Sequence, residues 1–341
     1  MKANILSVIC GFILCGILVA GLWPLRHPQS EVTWLGNDNG LRFGKHATVL
    51  SSGTLAMTSS QDELPCSLEI WLQASLMGDS ITFLAFSTPE HPLQFSLRQS
   101  GADLELQRGS RSQPHQARTA RLYVGHVFPG EGRVFITVTS GPQGTSIYVD
   151  GALVTMSREF RLAGNDCTGQ LVVGDSTLET NHWFGQLRGL AIYPLELTAG
   201  QLFQHYETWA AMGRPEVSEN ERSVALYLFD EHWGRAVHNH VSSGIDLYTP
   251  ERYLLLHQIL LKPPWKEFEL SWGYLKDVLI NIADFIPLGF FFCVYFSSAR
   301  QVKRAALATI MMGETVSLTI EILQAQRAPN ASTLPFTPIH E

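Results

Sequence analysis

The residues best placed to do chemistry are polar groups set among apolar side chains near the C-terminus. Asp277, Asn281 and Asp284 fall at i, i+4 and i+7, and Glu314, Ser317, Glu321 and Gln324 at i, i+3, i+7 and i+10. In a helix each set shares one face, and Arg327 follows just beyond the second. A carboxylate facing lipid near the bilayer centre costs at least ~2.5–3.5 kcal/mol. The two faces should therefore turn toward each other, a third helix or a wet cavity. Such an arrangement reads as a polar membrane pocket. The alternative is that the same groups only fasten the helices together by hydrogen bonds.

The elements that must position these groups are apolar runs at both ends of the 341-residue chain. Ile5 to Leu22 is almost wholly apolar, and as a helix it rises ~27 Å, enough for a bilayer core. A cleaved signal peptide is the rival reading. The single charge of Lys2 before a long apolar run favours a retained anchor. Val278–Phe296 and Ala305–Leu323 form two further spans, joined by a short connection that carries Arg300, Lys303 and Arg304. By the positive-inside rule that connection is cytoplasmic, so Met1 is also inside and the middle of the chain is outside. The expected order is a membrane helix over 1–26, an extracytoplasmic domain over 30–253, a membrane hairpin over 254–326 (helices near 278–296 and 305–323) and a tail over 327–341.

The net charge of −7 comes with no basic stripe, which excludes nucleic acid as a partner. The middle shows short β-rich runs separated by Gly, Pro, Asn and Asp. Among them are Ser67–Leu72, Ile81–Phe86, Leu93–Leu97, Arg133–Thr139, Gln170–Val173 and Ala225–Phe229. This spacing predicts an all-β sandwich of antiparallel sheets. Asp150-Gly151 predicts a hairpin turn, and Thr198 caps the one predicted helix, Ala199–Met212. Cys66 and Cys167 are the two cysteines outside the apolar runs. They read either as one disulfide across a long loop or as two unpaired buried thiols. Asp150 reads as a turn residue, and Asp166 and Asp175 as single acids in loops, a poor basis for calcium. His238 and His240 flank Asn239 without the spacing of a metal triad, and no serine sits in a nucleophile elbow. The chain reads as a binding protein without a cofactor, not as an enzyme.

Two resemblances sharpen this. Val134–Thr139, Ser146–Gly151, Leu171–Gly174 and the run Trp183-Phe184-Gly185 to Tyr193, followed by Pro194–Thr198, resemble the ordered motifs of laminin-G-like, concanavalin-A-like jelly rolls. This resemblance implies a sandwich that binds glycans or proteins through rim loops. Asp277-x-x-x-Asn281-x-x-x-Phe285-Ile286-Pro287-Leu288-Gly289, then Gly313-x-x-x-Ser317-x-x-Ile320-Glu321-x-x-Gln324, resembles the VanZ-like membrane domain. That family continues into a last membrane helix which this sequence lacks, so the resemblance implies a truncated domain. Together they imply a bacterial envelope protein in the cytoplasmic membrane, its partners the lipid bilayer and a cell-wall glycan or envelope protein. They also imply a link to glycopeptide (teicoplanin) resistance. A transporter or enzyme using the intramembrane carboxylates, and a purely structural adhesion module, are the alternatives. The oligomeric state is not encoded in any motif.

Overall fold

The computed structural model describes residues 2–21, 28–57, 65–75, 80–88, 91–109, 119–130, 132–176, 182–216, 221–241, 244–253, 286, 289–295, 297 and 302–327. The chain divides into two compact units, one of residues 28–257 and one of residues 1–27 and 258–329.

The first unit is built on two antiparallel sheets. Sheet one orders β1 (Thr33–Trp34), β2 (Leu41–Phe43), β13 (Gly185–Tyr193), β4 (Cys66–Ala74), β9 (Arg133–Gly141), β10 (Gly144–Val149) and β11 (Ala152–Ser157). A short β14 (Ala225–Tyr227) also pairs with β13. Sheet two orders β15 (Ala236–Val237), β16 (Leu247–Tyr248), β3 (Val49–Leu55), β12 (Gly169–Val173), β5 (Ser80–Ser87), β6 (Phe95–Ser100), β7 (Asp103–Arg108) and β8 (Ala120–Val124). The chain crosses between the sheets repeatedly, at β2/β3, β3/β4, β4/β5, β8/β9, β11/β12, β12/β13 and β14/β15, so both sheets mix distant segments, as the jelly-roll reading expects.

Inward residues of both sheets form one core. Leu68, Ile70 and Leu72 of β4 meet Leu84 and Phe86 of β5 and Leu104 and Leu106 of β7 within it. This follows from side chains alternating along each strand. β9 is buried on both faces, because a second apolar cluster covers the outer side of sheet one. That cluster joins Phe135, Ala191 and Tyr193 to Leu202 and Trp209 of helix α2 (Ala199–Met212). α2 starts on a reciprocal cap: the Thr198 hydroxyl accepts from the Gln201 N–H, and the Gln201 side chain accepts from the Thr198 N–H at 2.9 Å. It ends at Gly213, which is left-handed (φ 71) and donates to the Trp209 carbonyl. The helix and its cap stand where the sequence put them. So does the Asp150-Gly151 hairpin between β10 and β11, with Asp150 at φ 49 and its Oδ1 accepting from the Phe135 N–H at 2.9 Å.

The second unit contains α1 (Lys2–Gly21), helical residues 289–295 and α3 (Val302–Arg327). Cys10 and Phe292 are buried together, with Ile13, Leu14, Ile17, Phe291, Tyr295 and Met312 packed on them. α1, residues 291–295 and α3 therefore share an apolar contact. α3 is longer than the predicted 305–323. Among the described residues, no helix is long and apolar enough to cross a membrane.

Candidate functional site

The sandwich unit begins and ends at one place, and a groove forms there. Tyr253 donates its N–H to the Pro28 carbonyl at 2.9 Å, Ser30 donates to the Glu251 carbonyl at 3.1 Å, and Gln29 bridges Arg252. This short zipper lays residues 29–34 beside 249–251. The other wall is the turn after β14. There Phe229 and His232 adopt positive φ (53 and 61), as does Gly234 (79), so the chain doubles back sharply. The Trp34 indole closes the corner by donating to the Gly234 carbonyl at 2.9 Å.

The resulting groove has a volume of about 290 Å³ and is lined by Gln29, Ser30, Trp34, Arg235, Thr249 and Glu251, among others. Arg235 and Glu251 face each other at 3.3 Å and stay solvent-accessible. Trp233, next to Gly234, is 71% exposed. An indole wall, two hydroxyls, an amide, a guanidinium and a carboxylate suit a small polyhydroxylated ligand. Its C–H face can stack on the ring while its hydroxyls donate and accept at the edge. The size lies at the small end of ligand pockets, near ~300 Å³.

Behind the zipper lies a polar cluster. Asp175, 1% exposed, accepts from Tyr253 Oη at 2.8 Å, Thr48 Oγ1 at 2.9 Å and the Ser176 N–H at 2.7 Å. Burial pushes its carboxyl up to about 6, although these three hydrogen bonds work the other way. Tyr253 Oη is 3.4 Å from His182 Nδ1, and the His182 ring packs edge-on against Tyr253. His182 is depressed by burial and then by the nearby His46. His46 Nδ1 meets Glu31 Oε1 at 2.9 Å. The cluster thus fastens both ends of the sandwich, through Glu31 and Tyr253, to the β3 and β12 ends in sheet two.

The other residues read as site candidates are placed as follows. Asp166 Oδ2 accepts from the Ala163 N–H, His238 pairs with Asp246 and His240 with Asp230. Each of these, like Asp150, serves a turn. Among the described residues no cluster of His, Cys, Asp or Glu is arranged to hold a metal ion. Cys66 and Cys167 come together with their sulfurs 3.6 Å apart, both buried. Glu314 and Ser317 lie exposed on α3, while Val316 of the same helix is buried. Glu321, Gln324 and Arg327 also belong to α3, but their side chains, like all of Asp277, Asn281 and Asp284, fall outside the described residues. The groove itself was not anticipated from sequence. Its only local signal is the Trp233-Gly234-Arg235 turn, and its other wall comes from the far end of the domain.

No protein-family model matches the chain, and no curated protein does. Among solved structures, the chain is similar to the binding domain of Paraclostridial Mosquitocidal Protein 1, at 9% identity and TM-score 0.41 over 53% of this chain and 47% of that one. A Bacteroides ovatus protein provisionally assigned to carbohydrate binding gives 16% identity and TM-score 0.42 over 59% and 58%. The ligand-binding domain of botulinum neurotoxin serotype D, solved with N-acetylneuraminic acid, gives 12% and 0.41 over 67% and 73%. The chain spans about half the length of the first of these. At such scores the groove's chemistry has to be argued from its own residues.

Proposed function

We propose that the sandwich is a glycan-binding module and that the helical unit holds it at the outer side of a cytoplasmic membrane. The observation carrying the first half is the groove: an indole wall facing an accessible Arg235–Glu251 pair, with Gln29, Ser30 and Thr249 between them. Sugars present alternating apolar and hydroxyl faces, which that wall and that edge match. A bound hydroxyl pair can replace water on Arg235 and Glu251 without desolvating a lone charge, because the two remain partners. The module is read as binding without turnover. Glu251 is the one carboxylate lining the described groove, and it is 72% exposed in its side chain. A general acid needs a second group and a drier setting. The membrane half of the reading is supported by the apolar runs, by the packing of α1 with residues 291–295 and by the basic connection Arg300, Lys303 and Arg304.

The direct test uses residues 28–257, the compact unit with its own core. A shorter piece ending at 250 would remove Tyr253 and with it the bond to Asp175. Binding to an array of cell-wall and acidic glycans should appear in the wild type and fall at least tenfold in Trp34→Ala and in Arg235→Ala. A blank array, or binding that both variants leave untouched, overturns the reading.

A further inference from the structure

We propose that Cys66 and Cys167 are oxidised to a disulfide that ties sheet one to sheet two. Cys66 opens β4, in register with Ser140 of β9, and points into the core between the sheets. Cys167 ends a single 3-10 turn, Gly164–Cys167, on the crossing from β11 to β12, and points into the same core. Their sulfurs are 3.6 Å apart, and each residue is 2% exposed. The approach is organised by groups other than the thiols. Ser140 Oγ accepts from the Leu162 N–H at 2.9 Å and so draws the crossing onto β9 beside Cys66. Asp166 then folds the turn by accepting from the Ala163 N–H at 2.9 Å, and Thr168 Oγ1 donates to the Gly164 carbonyl at 3.0 Å. The two sulfurs are therefore delivered to one point by sheet one and by the turn that leads into β12 of sheet two, and a shift of that short turn would bring them to bonding distance.

The reaction needs an oxidant. A thiolate of one cysteine attacks the disulfide of an external dithiol–disulfide oxidoreductase, and the second thiolate displaces that partner from the mixed disulfide. Two protons and two electrons leave the chain, and the partner departs as a dithiol. In the folded sandwich both cysteines are 2% exposed and out of reach of an external partner, and contact with Cys66 and then burial also raise the Cys167 thiol. Oxidation thus belongs to the folding phase, before the sheets close. The inference is independent of glycan binding. It says instead that this face of the chain folds in an oxidising compartment.

The test traps thiols in the full chain, produced in a bacterial envelope, with acid and then a maleimide of high mass under denaturing conditions. The chain has five cysteines. The expected result is three labels without reductant and five after reduction. Proteolysis of the unreduced wild type should also yield the Cys66 and Cys167 peptides joined and two hydrogens lighter. In Cys66→Ser and Cys167→Ser, four labels are expected with or without reductant. Should either variant fail to fold, the joined peptide of the wild type decides. Five labels in the unreduced wild type, or a lost pair of labels that persists in Cys66→Ser, overturns the proposal.

Discussion

Helix α2 is pinned to sheet one by a buried imidazole, and removing it gives the sharpest test of how the sandwich holds together. His205, 1% exposed, lies between two carboxylates: Nδ1 is 2.9 Å from Glu69 Oε1 of β4, and Nε2 is 3.2 Å from Glu221 Oε2. Tyr193 Oη donates to the other Glu69 oxygen at 2.9 Å, and Gln201 Nε2 donates to the other Glu221 oxygen at 2.7 Å. Burial alone would depress His205, but the hydrogen bond and charge of Glu69, with Glu221 adding to them, raise it above 6.5. His205→Ala leaves both acids buried with one neutral donor each named above. Breaking one side of a buried ion pair costs about 3–5 kcal/mol, which for a domain of this size lowers the melting point by roughly 6–20 °C. The pH dependence fixes the sign. Because the folded pKa is raised, the imidazolium's stabilisation is fully present below about 6.5 and is lost as pH climbs through the folded value. The gap between wild type and variant should therefore narrow as pH rises above about 6.5. Thermal unfolding of residues 28–257, followed by tryptophan fluorescence, measures both. A loss under about 1 kcal/mol, or a gap flat across that range, would refute the pin.

Further outcomes follow from other contacts of the sandwich. A Cβ on Gly189 would overlap the Trp209 ring, so Gly189→Ala should push Trp209 off β13 and cost about 1–3 kcal/mol, with altered near-ultraviolet dichroism. Gly53→Ala, whose new methyl would meet nothing nearer than Ile245 at 3.7 Å, is the control and should be close to neutral. Asp175, raised to about 6 from 3.8, gives stability that is present below about 4 and lost as pH rises through about 6. Tyr253→Phe removes a hydrogen bond to the charged form, so the Asp175 titration, read by carboxyl NMR, should move above 6. An unmoved or lowered midpoint would show that the hydroxyl does not support the carboxylate.

Which parts of this could be read from the residues depends on how local their causes are. β4, β5 and β9 were legible because each carries several inward apolar residues in alternation, such as Leu68, Ile70 and Leu72. α2 was legible because its cap and its stop, Thr198 with Gln201 and then Gly213, lie within the element itself. Neither β7 nor β8 was singled out from the sequence. Their outward residues are charged or polar, and only the folded register shows why: Arg98 and Arg121 converge on the buried Glu105, where Tyr123 also donates. β1, β15 and β16 are two residues long, too short for any period to show. The groove has the same obstacle in stronger form, since the Trp34 indole donates across 200 positions to the backbone carbonyl of Gly234, an acceptor that no residue type announces. The acidic stripes mark the boundary between these cases. Helical spacing correctly set Glu314 and Ser317 within α3, because spacing is local. It could not set what they face: both lie exposed, and Val316 occupies the buried side. A stripe read from sequence fixes which residues travel together, and only the packing partner decides whether they turn inward. The partner visible here is the apolar contact of Cys10, Phe292 and Met312, while Asp277, Asn281 and Asp284, which the second stripe was expected to face, lie outside the described residues.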